Sequence, residues 1–128
     1  VFADKVALHA LNDIIHPVVR AGFRRWAQEQ HAPYVIMEAA VMVENDGHQA
    51  MDQVVVVTAP EELRIRRVVR RDGVEEAQVK ARMANQASDM SRLAIAHHVI
   101  HNDEKELVIP QVIKIHEQLI EMKGTFKK

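Results

Sequence analysis

The sequence predicts an α/β domain of three layers with a mostly parallel sheet. Three observations carry that expectation. Segments with helical spacing alternate with short β-branched runs, those runs lack the apolar/polar alternation of a sheet with one wet face, and turn signals separate them. At 128 residues the chain is one domain's worth, able to bury roughly two-thirds of its unfolded surface in one core.

From about 4 to 30, apolar residues recur mostly three or four apart, at Val6, Leu8, Leu11, Ile14, Ile15, Val18, Val19, Phe23 and Trp26, which is one helical face. Pro17 falls inside that pattern and is expected to kink or split it, because proline offers no amide hydrogen and crowds the preceding turn. His31-Ala32-Pro33 ends the element. Tyr34-Val35-Ile36-Met37-Glu38-Ala39 then reads as a strand and Val54-Val55-Val56-Val57-Thr58 as a stronger one. Between them, Glu44-Asn45-Asp46-Gly47 is a turn signal leading into a short segment at 48–52. Pro60-Glu61-Glu62 opens a helix to about Arg71, since proline's fixed φ suits a first turn and two acids face the positive end of the dipole. Asp72-Gly73 breaks it. Helical spacing resumes from Glu75 to about Asn85, with a further short helix near 88–94. The run 95–100 is expected to end as a third strand, closed by Asn102-Asp103. Leu107, Ile109, Val112, Ile113, Ile115, Leu119 and Ile120 give a final helix, with Pro110 tolerable only in its first turn. The polar tail from Lys123 is expected to fray.

Composition narrows the function classes. Hydrophobic residues at 48% and charged residues at 27% are the balance of an ordinary globular protein. Lys plus Arg (17) nearly match Asp plus Glu (18), so no net field draws the molecule to nucleic acid or an anionic bilayer. Any basic site is local. The absence of cysteine removes disulfides and thiolate chemistry together and fits a reducing compartment. No run approaches the ~18–20 apolar residues of a membrane span, and no charged-then-apolar leader is visible. A cytoplasmic location without a membrane partner is the expectation. Because Val1 stands first and a helical pattern follows at once, upstream sequence is expected to have been removed or left out.

Arg64, Arg66, Arg67, Arg70 and Arg71 place five guanidinium groups within eight residues, with Arg64, Arg67 and Arg71 on one helical face. Such a face beside a glycine break suits a polyphosphate, because guanidinium binds phosphate through parallel hydrogen bonds and stays charged. A solvated helix surface is the plainer alternative. His16-Pro17, followed by Arg20, Arg24 and Arg25, sets an imidazole and cations around a helix kink, where His16 could equally be a structural hydrogen-bonding residue. Glu38 and Glu44 lie at and beyond the C-terminal end of the first expected strand, the edge where open α/β sheets bind ligands, or are exposed loop acids. His97, His98 and His101 make no metal site on spacing, since adjacent strand residues point to opposite faces and no second ligand set completes one. An aromatic content of 4%, with Trp26 the single tryptophan, speaks against a stacking platform for single-stranded nucleic acid.

Leu11-Asn12-Asp13-Ile14-Ile15-His16-Pro17-Val18-Val19-Arg20 resembles the Leu-Asn-x-Ile-Ile-His-Pro-x-(Val/Ile)-Arg segment of dephospho-CoA kinases. In order follow Tyr34-Val35-Ile36-Met37-Glu38, Met42-Val43-Glu44-Asn45, Asp52-Gln53-Val54-Val55-Val56-Val57, Pro60-Glu61-Glu62-Leu63, Arg67 with Arg71-Asp72, Ala81-Arg82-Met83 with Gln86, and Val99-Ile100-His101-Asn102. The resemblance covers about residues 1–122. It implies a P-loop kinase fold with a helical lid and an enzyme that moves the γ-phosphate of ATP, with Mg2+, to the ribose 3′-hydroxyl of dephospho-CoA. It divides the chain into acceptor-side helices at 1–31, two core strands with a loop at 34–58, an arginine-rich helix and lid at 60–94, and the last strand and helix at 95–122. It implies that Arg67, Arg71 and Arg82 cover ATP phosphates and that Asn102 lies near the adenine end. His16, Arg20 and Glu44 then lie toward the acceptor.

The family's Gly-x-x-Gly-x-Gly-Lys-Ser/Thr loop and its acidic base precede the segment matched here, so catalytic residues are unknown within this sequence. This polypeptide alone is expected to be inactive. Asp46 stands where relatives often have glycine. In the family topology the P-loop strand lies between the runs 34–39 and 54–58, so its absence implies open strand edges and self-association through them. A non-catalytic nucleotide-binding or oligomerisation module is the alternative, and RNA binding by the arginine helix is disfavoured by charge and aromatic content.

Overall fold

A computed structural model describes residues 5–40, 42, 43 and 46–122. They fall into two compact units, the first running to Ile36 and the second from Met37. The polar tail from Lys123 lies outside the described residues.

The first unit is built on α1 (Lys5–Gln28), which runs through Pro17 as one helix. The expected interruption withdraws one amide from the ladder without splitting it, because the flanking turns keep their own bonds. At its C-terminus, Glu29 and Gln30 N–H bond the carbonyls of Trp26 and Ala27 at 3.2 Å, three residues back, and Gln30 Nε2 also donates to Trp26 O at 2.9 Å. Such tightening satisfies carbonyls that a helix end leaves open. Ile14 and Val18 are each 69% exposed.

The second unit centres on two parallel strands, β1 (Val55–Thr58) and β2 (His98–His101), in the register Val55 with His98 through Thr58 with His101. Four consecutive valines favour an extended chain by β-branching. The expected third strand thus starts later than 95: His97 N–H bonds Val54 O at 2.9 Å and opens the ladder at its N-terminal end. The run 34–39, expected as a strand, is not one. Among the described residues the sheet has two strands, β1 and β2, and an extended run without a ladder neighbour is not a strand, so 34–58 holds one strand where two were expected.

After β1, Ala59 and Pro60 turn the chain into α2 (Glu61–Asp72), whose first-turn acids and last-turn Arg70 and Arg71 both suit the dipole. Gly73 ends it at φ 65°, its N–H bonding Val69 O at 2.9 Å, a left-handed cap that glycine adopts without a Cβ penalty. Then come α3 (Glu76–Met83) and α4 (Asp89–Ala94), the latter capped by Ser88 Oγ accepting the Ser91 N–H at 3.1 Å. Finally α5 (Val108–Glu121) holds Pro110 in its first turn, where no intrahelical amide is required. α5 packs on β2, α4 on β1 and α3 on α2. The core is Val54, Leu63, Ile65, Val79, Ile100, Ile115 and Leu119. Asp46, just before the 3₁₀ turn Gly47–Ala50, has φ 53°, the left-handed conformation a glycine takes freely.

Candidate functional site

The C-terminal ends of parallel strands are where α/β sheets present ligand-binding groups. Here Asn102 N–H continues the ladder one step past β2, bonding Thr58 O at 2.8 Å, so the two strand ends lie side by side. α2 buries Leu63 and Ile65, which leaves its arginines to reach outward along the helix flank.

Arg67 reaches the end of β2. Its Nη1 donates to Asn102 O at 3.0 Å and its Nη2 to Asn102 Oδ1 at 3.2 Å and Glu104 Oε1 at 3.3 Å. Arg66 Nη2 donates to the other Glu104 oxygen at 3.4 Å. Since guanidinium only donates, the Asn102 side-chain oxygen must face Arg67, and Nδ2 is the group Asn102 can offer a ligand. Glu104 has φ 68°, a costly conformation for a residue with a side chain, held by its two arginines. Asp103 Oδ1 accepts the N–H groups of Glu106 at 3.0 Å and Lys105 at 2.9 Å, which hold its carboxyl below the ordinary 3.8. The loop is therefore shaped by side chains rather than by a sheet or helix.

Arg64 reaches α4 instead. Its Nη1 and Nη2 donate to Asp89 Oδ1 and Oδ2 at 3.1 and 2.6 Å, and Arg92 Nη1 stands 3.6 Å from the same carboxylate. These three residues, with Val56, Val57, Thr58 and Leu93, line a cleft of about 20 Å³, room for about one water. Arg71, at the exposed end of α2, donates from Nε and Nη2 to Asp72 at 2.7 and 3.1 Å. That bond raises the Arg71 pKa and lowers that of Asp72, which the charge of Arg82 on α3 lowers further.

Of the residues singled out in the sequence, the fold brings Arg67 and Asn102 into contact, and Arg71 and Arg82 act on one carboxylate. His16 and Arg20 stand one helical turn apart on α1. Glu44 lies outside the described residues, and Glu38 is exposed. His97 Nδ1 accepts the Val54 N–H at 3.1 Å, which commits that nitrogen to the backbone. Among the described residues no group of three or more His, Asp or Glu is placed to hold a metal ion. Sequence reasoning missed Asp89 and Glu104. They lie 25 and 37 residues from their arginines, and only the fold closes such distances.

A parallel sheet with helices packed on both strands and an arginine of α2 bonded at the end of β2 fits an α/β domain of the P-loop kinase class. A family model described as dephospho-CoA kinase matches residues 1–107, and the chain belongs to the dephospho-CoA kinase family. A dephospho-CoA kinase of Burkholderia lata is 39% identical over 123 residues, covering 94% of this chain and 61% of that protein. One from Vibrio cholerae is 36% identical over 113 residues, covering 88% and 56% respectively. Among solved structures, the crystal structure of TT1252 from Thermus thermophilus matches with a TM-score of 0.78 at 28% identity, over 96% of this chain and 63% of that one. The chain thus spans 56–61% of the length of these two curated relatives. No described helix is long and apolar enough to cross a membrane.

Proposed function

We propose that this chain is the lid-and-acceptor portion of an ATP-dependent dephospho-CoA kinase, which transfers the γ-phosphate of ATP to the 3′-hydroxyl of dephospho-CoA in the last step of coenzyme A biosynthesis in the cytoplasm. The observation that carries this reading is Arg67 clasping Asn102 at the end of β2, within a chain of that family. Phosphoryl transfer depends on positioning and on charge placed where the transferring group develops its own. Arg71 and Arg82 supply such charge at the end of α2 and on α3. Arg67 joins them by exchanging its Glu104 carboxylate for a phosphate, which offers the same paired acceptors. Asn102 lies at the adenine end and presents Nδ2 as a donor. The family resemblance assigns His16, Arg20 and Glu44 to the acceptor side.

Mg2+ accompanies ATP in such reactions and neutralises charge between the phosphates. Among the described residues no cluster of His, Asp or Glu is placed to hold it. The sequence contains no glycine-rich loop with its lysine to cradle the β- and γ-phosphates, and lid arginines without that cradle have nothing to close upon. This polypeptide alone is therefore inactive in our reading. An assay with ATP, magnesium and dephospho-CoA is expected to give ADP no faster than a blank, and turnover above the blank overturns that reading.

A second reading is an oligomerisation or non-catalytic nucleotide-binding module. The two-stranded sheet favours it, because β1 has a strand on one side only among the described residues and open edges pair with other chains. Self-association through that edge is compatible with the kinase reading.

A further inference from the structure

The arginines of α2 hold their carboxylates with unequal force. Arg64 grips Asp89 through bonds of 3.1 and 2.6 Å, as close as a charge-assisted pair comes. Glu104 is held loosely. It accepts from Arg67 Nη2 at 3.3 Å and from Arg66 Nη2 at 3.4 Å, longer than the ordinary N–H···O bond of about 2.7–3.2 Å, and 58% of its side chain is exposed. Ion pairs so open to water contribute little. The backbone beneath that carboxylate is nonetheless strained. Glu104 at φ 68° and Asp46 at φ 53° are the two non-glycine residues in the left-handed region among the described residues, and the short side chain of aspartate tolerates that region where glutamate has no such relief. The turn at Glu104 brings the Lys105 and Glu106 N–H groups back to Asp103 Oδ1 at 2.9 and 3.0 Å. A weakly held carboxylate on a strained residue is poised to leave. Arg67 stays aimed without it, since its bonds to Asn102 O at 3.0 Å and Asn102 Oδ1 at 3.2 Å do not involve Glu104.

We infer that Glu104 is an autoinhibitory counter-ion: a tethered carboxylate that occupies the Arg66 and Arg67 guanidinium groups until a polyphosphate displaces it, and whose departure releases the loop 103–106. This role rests on Arg67 serving a phosphate, as proposed above, and adds the element that regulates it. Displacement favours a polyphosphate because it offers paired acceptors with more charge than one carboxylate. The bonds to Arg66 and Arg67 are the side-chain bonds of Glu104 among the described residues. Once they are lost, residue 104 relaxes toward negative φ and carries the Lys105 and Glu106 amides off Asp103. Occupancy of the arginines is thereby coupled to the segment that follows Asn102, and the coupling is reciprocal: whatever loosens Glu104 tightens the binding of the anion.

Titration of the whole chain with inorganic tripolyphosphate, followed by NMR, tests this role. Glu104→Ala and Glu104→Gly are both expected to bind about threefold or more tighter than the wild type. Glu106→Ala removes one charge from the same loop, but that side chain bonds neither arginine, and it is expected to change the affinity by less than about twofold. Amide exchange reads the loop. Tripolyphosphate is expected to speed exchange at Lys105 and Glu106 in the wild type, and Glu104→Ala to speed it by about tenfold without ligand. Glu104→Gly is expected to keep those amides protected, because glycine takes φ 68° without a Cβ penalty. The His98 and Asn102 amides, bonded to Val54 O and Thr58 O, report that each variant folds. An affinity that rises equally in Glu106→Ala, or not at all in Glu104→Ala, overturns the inference, as does a wild-type loop whose exchange tripolyphosphate leaves unchanged. A chain that binds tripolyphosphate neither with nor without the Glu104 carboxylate overturns it as well, without touching the kinase reading, which turnover decides.

Discussion

α1 and α5 carry similar amphipathic patterns, yet they end in opposite environments. α5 turns Ile115 and Leu119, one helical turn apart, into the core against β2, each 9% exposed. On α1, Leu11, Ile14, Ile15, Val18, Val19 and Trp26 all remain exposed. An apolar stripe is a demand for a partner, and only tertiary structure decides whether it is met. α5 contributes to stability through burial against β2, and the helical hydrogen bonds within α1 are local to it.

Substitution at equivalent residues breaks or upholds that comparison most sharply. Ile115→Ala is expected to cost about 2–5 kcal/mol, the sum of lost transfer energy and the cavity left behind, whereas Ile14→Ala should stay within about 0.5 kcal/mol. Denaturant unfolding of the two variants measures both, and equal losses would show that α1 is buried in solution. A smaller effect sharpens the account of the second unit. Ser88→Ala removes the cap of a six-residue helix and should cost about 1 kcal/mol, read as faster amide exchange along α4. Asp89→Asn should cost about 1 kcal/mol or less, because the Arg64 fork keeps one oxygen and the carboxylate is half exposed.

The smallest expected effect is one of pH. Asp103 has its folded pKa lowered by the N–H groups of Glu106 and Lys105. Its contribution is therefore fully present above the ordinary 3.8 of an unfolded aspartate and is lost as pH falls through the depressed folded value. Amide exchange of Lys105 and Glu106 should accelerate below about pH 4 in step with carboxyl protonation. Asp103→Asn should remove that step.

Much of the second unit was legible in the residues themselves. Pro60-Glu61-Glu62 and Asp72-Gly73 mark both ends of α2 because a fixed φ, a dipole and a left-handed cap are local physics. Ser88 and the apolar spacing of α5 are local in the same sense. What stayed hidden depends on partners distant in sequence. The run 34–39 has the local properties of a strand, yet the sheet among the described residues consists of β1 and β2 alone. The Gln111 amide on α5 bonds both the N–H and the C=O of His101 on β2, at 2.8 and 3.0 Å, which no strand or helix pattern encodes. The arginine row was visible as charge, but its division among Asp89, Asn102 and Glu104 follows from where the fold brings α4 and the end of β2 beside α2.

The central claim is that these arginines serve a phosphoryl-transfer site completed by sequence that this chain does not span. It is tested most directly by joining the chain to the part of the Vibrio cholerae dephospho-CoA kinase that has no counterpart in it, then measuring ADP formation that depends on dephospho-CoA. The account predicts turnover by the joined protein, at least about tenfold less when Arg82 is changed to Gln, and none by the chain alone. A joined protein that folds and binds ATP yet transfers no phosphate, or one indifferent to Arg82, would contradict it.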